Sequence, residues 1–142
     1  MEVSQSGRVM CSRSIITSDM PGGMSNNSRG IKNAGVITLR DCTVSGVYAG
    51  VYNTGDLYVR GGTYNGYMVG GFELSHAEDK IAYIKDCLVR CNHYDDNGSF
   101  AGQVSATPLY STWIVNGNKT SVYFDNCQFG DDTDETYPSM VI

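Results

Sequence analysis

One short pattern of residues recurs along this chain, and it restricts the fold more than any other feature. Its clearest copy is Asp56–Gly66, DLYVRGGTYNG. The shared template reads apolar, any residue, apolar, charged, Asp/Gly/Asn, Cys/Gly, any residue, apolar. Its second apolar position is filled in turn by Cys11, Leu39, Val59, Ile84 and Phe124. Such copies, none of which can bury an apolar face alone, predict a stack of similar short units.

Each repeat has a second part, which precedes the template. Residues 29–35, RGIKNAG, match residues 49–55, AGVYNTG, at a distance of 20 residues, and residues 71–74 and 112–118 are later copies. A repeat therefore holds three short segments separated by Gly or Asn. At roughly 3.3 Å per residue, such segments close a three-sided rung, and successive rungs pair in parallel about 4.8 Å apart.

The composition agrees with short strands and turns. The chain has 17 Gly and only 3 Pro, and its apolar residues show no helical period, so we predict an all-β fold. At 142 residues it is long enough for one domain with a continuous core. We expect a single domain over residues 1–142, which could be a piece of a larger protein.

The charge balance and hydropathy limit the classes of partner. A net charge of -5 and a pI near 4.8 argue against a nucleic-acid surface, because phosphate binding needs clustered Lys and Arg. No apolar run approaches the length of a membrane span, and the first residues lack the apolar core of a signal peptide. We therefore expect a soluble chain without nucleic-acid or membrane partners.

Four segments depart from the repeat. Residues 1–7 are polar and are expected to form a frayed or fusion-derived lead-in, whereas residues 19–28 carry the signals of a loop. Residues 92–112 break the template, either as one irregular rung or as a long loop. Residues 131–142 form an acidic C-terminal cap or tail.

Asparagines recur at one position of the preceding segment. Asn33 and Asn53 align there, Leu74 replaces them in the next copy, and Asn116 restores the amide. At a corner of successive rungs, such amides can bond to one another and to turn backbone. The alternative is that they are simply turn residues that tolerate a left-handed backbone.

The five Cys are an odd number, so at least one thiol is free or pairs with another chain. Cys42, Cys87 and Cys127 share one template position, which places them one above another inside the stack. We favour a ladder of small buried apolar side chains over disulfides or a metal. Cys87 and Cys91 with nearby His93 lack a second half-site, so zinc is not expected.

These segments resemble the rungs of right-handed parallel β-helix proteins of the pectin-lyase-like superfamily, and look most like its adhesin-like and phage-tail members. The resemblance is carried by GVYNTGDLYVRGGTYNG and VITLRDCTVSG and covers residues 8–131. It implies a right-handed parallel β-helix, a solenoid of about six rungs. The fold hosts lyases, hydrolases, adhesins, tailspikes and inert shafts, so a function must be argued from a site.

Superfamily members that cleave polysaccharides use two or three Asp on adjacent rungs, or Asp-bound calcium with an Arg or Lys base. The acid and base carboxylates flank one bond at about 5 to 10 Å. The candidates here are Arg29 with Lys32, Asp41, Asp86, Asp95, Asp96, His76, His93, and the acidic cluster of Asp131, Asp132, Asp134 and Glu135. Each is explained more simply as a turn, surface or tail residue. We therefore expect no catalytic residue, metal or cofactor.

An outward-facing stripe is the candidate binding surface. One column of the template holds Met10, Thr38, Tyr58, Tyr83 and Tyr123, and the next outward column holds Ser12, Arg40, Arg60, Lys85 and Asp125. We define the stripe as Tyr58, Tyr83, Tyr123, Arg40, Arg60 and Lys85. Tyr rings offer flat faces to sugars, and Arg or Lys can hold acidic groups. Packing against another subunit and incidental surface are the alternatives.

The absence of a catalytic column favours a non-catalytic structural or recognition module. Examples are part of a phage tail fibre or of a bacterial surface adhesin, located extracellularly, on the cell surface or on a virion. Its partners would be other chains of an assembly, as a homo-oligomer for instance, and carbohydrate. The alternative is a polysaccharide lyase or glycoside hydrolase whose site is completed at a subunit interface.

Overall fold

The computed structural model describes residues 1–18, 28–66, 70–75, 79–91, 112–114 and 121–129. Every regular element in these ranges is a β-strand, so the all-β prediction is confirmed. The strands are β1 (Glu2–Val3), β2 (Arg8–Ser12), β3 (Ile15–Ser18), β4 (Arg29–Asn33), β5 (Val36–Gly46), β6 (Ala49–Asn53), β7 (Asp56–Gly66), β8 (Gly70–Leu74), β9 (Ile81–Lys85), β10 (Leu88–Cys91), β11 (Thr112–Ile114), β12 (Ser121–Asp125) and β13 (Gln128–Phe129).

The strands form two parallel sheets. The first has the order β1-β4-β6-β8-β11, and its neighbours come from successive repeats, as in the pairing of Arg29 with Ala49 and of Ala49 with Gly70. Parallel neighbours need a connection that leaves the sheet and returns to the same end. In this chain, the returning segment belongs to the second sheet.

The second sheet is built around two long strands, β5 and β7. They pair from Val36 with Asp56 to Gly46 with Gly66. Strands β2 and β3 pair with the two halves of β5, and β9 and β10 pair with the two halves of β7. Beyond these, β12 pairs with β9 and β13 pairs with β10.

No helix in the described part of the chain has the length and apolarity needed to span a membrane.

The register of the second sheet matches the sequence template. Cys11 pairs with Leu39, Leu39 with Val59, Val59 with Ile84, and Ile84 with Phe124. The three central side chains of this column are buried. The spacing of apolar residues therefore predicted the strand register correctly, because a one-residue slip would move every one of them to the outer face.

The core lies between the two sheets. The Tyr64 ring of the second sheet stacks on the Phe72 ring of the first, with 4.8 Å between their centroids. Ile31 and Val51 extend the Phe72 column, and Val44 lies beside Tyr64 in register. Full burial of each such side chain stabilises the fold by roughly 1.5–3 kcal/mol.

A column of left-handed residues crosses the second sheet, within the long strands β5 and β7 and between the shorter strands of the other copies. Arg13, Asp41, Gly61, Asp86 and Asn126 all have φ between 48° and 70°. Gly, Asp and Asn adopt this conformation at least cost. The Asp/Gly/Asn position of the template is thus the point at which each copy turns.

The asparagine corner forms as a hydrogen-bonded ladder. Asn33 and Asn53 are buried, and the Asn33 amide donates to the Asn53 carbonyl oxygen at 2.6 Å. The Asn53 amide donates in turn to the Gly55 carbonyl at 2.7 Å. The interpretation as a bonded corner is therefore confirmed for these two residues.

Two sequence expectations are corrected. The start of the chain is not a frayed lead-in: β1 pairs with β4, Val3 is buried, and the terminal ammonium donates to the Gly30 carbonyl at 2.8 Å. A strand of two residues carries too little periodicity to be recognised. At the other end of the first sheet, Ile114 pairs with Leu74, so Asn116 does not continue the asparagine position in this register. Asn116 itself lies outside the described residues.

Other expectations fall on residues that are not described. The loop over residues 19–27, the irregular segment up to residue 111 and the acidic segment 131–142 lie outside the described ranges. Thr112, assigned to the irregular segment as well as to a repeat, begins β11. The winding of the sheets into a right-handed β-helix of about six rungs stays a prediction.

Candidate binding surface

The tyrosine column lies on the outer face of the second sheet. Tyr58 pairs with Tyr83 and Tyr83 with Tyr123, while Thr38 and Met10 continue the column through β5 and β2. Side chains alternate across a strand, so Tyr58 points outward because Leu57 and Val59 point into the core. The three Tyr residues are 40%, 38% and 52% exposed. The predicted alignment and outward orientation are confirmed.

A column of charged residues runs beside the tyrosines. Arg40 pairs with Arg60, Arg60 with Lys85, and Lys85 with Asp125. The Arg60 side chain is 75% exposed, and its Nε lies 3.9 Å from a carboxylate oxygen of Asp86. Arg40 is also exposed. Two guanidinium groups on neighbouring strands repel each other, so their juxtaposition favours an anionic or polar group between them.

Lys85 belongs to a small network at the far end of the stripe. Its ammonium donates to Asp125 Oδ2, and the Tyr83 hydroxyl donates to the same oxygen at 3.4 Å. The hydrogen bond and charge of Lys85 hold the pKa of Asp125 below its ordinary value. The same contact holds the pKa of Lys85 above its ordinary value. The charge of Lys85 is therefore largely compensated by Asp125, whereas the more exposed Arg60 lies 3.9 Å from its carboxylate neighbour Asp86.

The stripe borders an open concavity of about 550 Å³. It is lined by Thr38, Leu39, Arg40, Asp41, Tyr58, Val59, Arg60, Tyr83 and Lys85. Five of the six stripe residues therefore meet at one depression. The sixth, Tyr123, lies beyond it, with its ring 6.3 Å from that of Tyr83 at an angle of 43°. Aromatic faces and cations around an open depression suit a hydroxylated or anionic ligand.

The two carboxylates of the turn column are not placed as an acid and base pair on adjacent strands. Asp41 and Asp86 belong to the turn column, and the strand that carries Gly61 separates them. Asp86 accepts a hydrogen bond of 2.8 Å from the Asn126 side chain. Within the described ranges, no group of three His, Cys, Asp or Glu is placed to hold a metal. Asp95, Asp96, His76, His93 and the acidic cluster lie outside those ranges.

Arg29 is part of a packed cluster that sequence reasoning missed. Its guanidinium forms an ion pair of 2.7 Å with Glu73, and both side chains are only 11% exposed. The Arg29 Cζ atom also lies 4.7 Å from the centre of the Tyr48 ring and 4.6 Å from that of Tyr52. Burial, followed by the charge of Glu73, raises the pKa of Tyr48.

The sequence signal for this cluster is the repeat alignment, which puts Glu73 at the position of Tyr52, and the two residues do pair in the sheet. Arg29 and Glu73 are 44 residues apart, so no local pattern joins them. Arg29 thus connects β4 to β6 and β8 of the first sheet. This structural role, on a different sheet from the stripe, explains the residue better than a catalytic role does.

The cysteine column lies in the core, as predicted. Cys42 and Cys87 are buried and Cys127 is partly buried, and these three thiols and that of Cys11 are free. Gly62 occupies the position between Cys42 and Cys87. Burial raises the pKa of Cys87 to about 12. The side chain of Cys91 and the whole of His93 lie outside the described part of the structure.

Comparison of the chain with protein-family models, with curated proteins and with solved structures gave no match.

Proposed function

We propose that this chain is a non-catalytic structural and recognition module that binds carbohydrate through the stripe. In this proposal, the two sheets are faces of a right-handed parallel β-helix of the pectin-lyase-like kind. The module would serve in an assembly such as a phage tail fibre or a bacterial surface adhesin, outside the cell or on a virion. The observation that carries the proposal is the exposed tyrosine column beside the exposed side chains of Arg40 and Arg60.

The sheet pairings support the β-helix. Positions that pair in the central strands lie 20 or 25 residues apart, as Leu39 with Val59 and Val59 with Ile84 do. Within one such interval the chain contributes to both sheets, through β6 and β7 for example. A chain that visits two parallel sheets in turn, repeat after repeat, is typical of a solenoid.

The spacing of the rings supports a carbohydrate ligand. Neighbouring strands lie about 4.8 Å apart, so the column offers one tyrosine face per strand along the direction of stacking. A linear saccharide lying across the strands could place successive rings over Tyr58, Tyr83 and Tyr123. Arg40 and Arg60 would then hold its hydroxyl or acidic groups from the side.

A glycan array tests this proposal most directly. We expect binding by the unmodified chain, and at least a tenfold loss for Tyr83→Ala and for Arg60→Ala, which is about 1.4 kcal/mol. Arg8→Ala is the matched control, because Arg8 is an exposed arginine of the same sheet outside the stripe. Light scattering on each variant reports whether the stripe instead holds subunits together.

Each outcome decides between interpretations. Loss of oligomer mass with unchanged glycan binding would assign the stripe to subunit contact. If both variants leave glycan binding and oligomer mass unchanged, the stripe has neither role. Release of new reducing ends or unsaturated sugars from acidic polysaccharides would replace the binding module with a lyase or hydrolase.

A further inference from the structure

The last described strands are connected to the preceding ones by matched side-chain pairs. Lys85 pairs with Asp125, and at the next position the Asn126 amide donates to Asp86 at 2.8 Å. The members of the second pair are 40 residues apart in the chain. Two consecutive cross-strand contacts therefore fix this register.

The next pair in the same register is Cys87 and Cys127. The Gln128 amide donates to the Cys87 carbonyl at 2.9 Å, and Leu88 pairs with Gln128. Residues in register on neighbouring strands lie about 4.8 Å apart, within the range of roughly 4.4–6.8 Å between the Cα atoms of disulfides. The Cys127 thiol also donates to the carbonyl oxygen of Ile84 at 3.4 Å. Ile84 lies in β9, just before Cys87 in the chain.

We propose that Cys87 and Cys127 are a built-in site of reversible oxidation, which a low-molecular-weight disulfide such as oxidised glutathione converts to an intramolecular disulfide. The Cys127 thiolate attacks oxidised glutathione, forms a mixed disulfide and releases one glutathione thiolate. The Cys87 thiolate then attacks the Cys127 sulfur and releases the second. Two protein thiols are oxidised and one oxidised glutathione is reduced to two molecules of glutathione.

The burial of the two thiols sets the order of these steps. Cys127 is partly exposed and can meet the oxidant, whereas Cys87 is buried. Burial also raises the pKa of Cys87, and the neighbouring Cys127 raises it further. Because attack requires the thiolate, Cys87 is a poor nucleophile toward an external disulfide. In the second step, its position in register beside Cys127 supplies the proximity that an external thiol lacks.

The pairing is selective within the column. Cys42 is separated from Cys87 by the strand that carries Gly62, which puts these two cysteines about 9.6 Å apart. That distance is beyond the reach of a disulfide. The bond to Cys127 would close a long loop and tie β12 and β13 to the preceding strands.

Peptide mapping under non-reducing conditions tests the proposal. The folded chain is incubated at mildly alkaline pH with oxidised glutathione and then digested. We expect a linked peptide that contains Cys87 and Cys127, lighter than the sum of its parts by two hydrogen atoms, and a higher unfolding temperature that reverts on reduction. Cys42→Ser should form the same link, whereas Cys87→Ser should retain glutathione on Cys127.

A linked peptide that joins any other pair, including Cys91, overturns the proposal. So does the absence of a linked peptide from the unmodified chain, whether its thiols stay free or keep glutathione. The measurement on the unmodified chain does not depend on the folding of any variant.

Discussion

Each asparagine of the corner uses its buried side chain to bond to the backbone two residues further along the chain. Asn53→Ala removes the acceptor of the 2.6 Å bond from Asn33 and the donor of the 2.7 Å bond to Gly55. Each buried group left without a partner costs about 1–3 kcal/mol, and Asn33 keeps a second acceptor, the Asp56 carbonyl. We expect a loss of about 2 kcal/mol in the free energy of unfolding, measured by urea denaturation.

The matched control is Ser12→Ala, a substitution of a small polar residue on the exposed face of β2. It should change stability by less than about 0.5 kcal/mol. Equal effects of the two substitutions would show that the corner amides contribute no more than surface hydroxyls do.

The ion pair of Lys85 and Asp125 gives stability that depends on pH at both ends of the range. Because the pKa of Asp125 is lowered from 3.8, its contribution is present above that value and is lost as the pH falls through the folded-state pKa. Because the pKa of Lys85 is raised from 10.5, its contribution is present below that value and is lost as the pH rises through the folded-state pKa.

Thermal unfolding of Lys85→Gln beside the unmodified chain measures this contribution. We expect a small decrease in unfolding temperature at neutral pH, which disappears in strong acid and shrinks in high salt because the pair is exposed. Arg60→Gln is the control, since its nearest carboxylate oxygen is 3.9 Å away, and it should show a smaller effect. A decrease that persists at a pH well below 3.8 would contradict the assignment to Asp125.

At the scale of the strand, glycines set how closely the two sheets meet. A Cβ atom on Gly50 would lie 2.7 Å from the Gly71 carbonyl oxygen and 2.8 Å from that of Asn65. Both contacts are with backbone, one in the neighbouring strand and one in the other sheet. Gly50→Ala should therefore force the strands apart and lower the free energy of unfolding by about 1–3 kcal/mol.

Gly7→Ala provides the comparison for this prediction. A Cβ atom there would meet its nearest neighbours, the Ser4 carbonyl oxygen and a Val3 methyl group, at 3.0 Å, which is farther than the contacts at Gly50. Urea denaturation should give a smaller loss for Gly7→Ala than for Gly50→Ala. The reverse order would show that close backbone approach does not determine the cost.

Strand register could be predicted from the sequence because the template repeats an inward position that tolerates no slip. Leu39, Val59 and Ile84 identify that position, and the outward tyrosines follow from alternation. The Arg29 cluster could not be predicted, because its ion pair spans 44 residues and follows no period. Likewise, the template gives no information on the depth of the depression beside Arg40 and Arg60, which depends on side-chain conformation.

Over the whole molecule, a stack of parallel strands should lose its structure first where its strands are only partly buried, and not all at once. Each unit contacts only its neighbours, so stability is approximately a sum of local terms. Val59 in β7 is buried between β5 and β9, whereas Val122 in β12 is only partly buried. We expect Val59→Ala to cost about 2 kcal/mol and to accelerate amide exchange throughout the described strands. Val122→Ala should accelerate exchange mainly over residues 121–129, and a uniform increase in that variant would indicate a single cooperative unit instead of a stack.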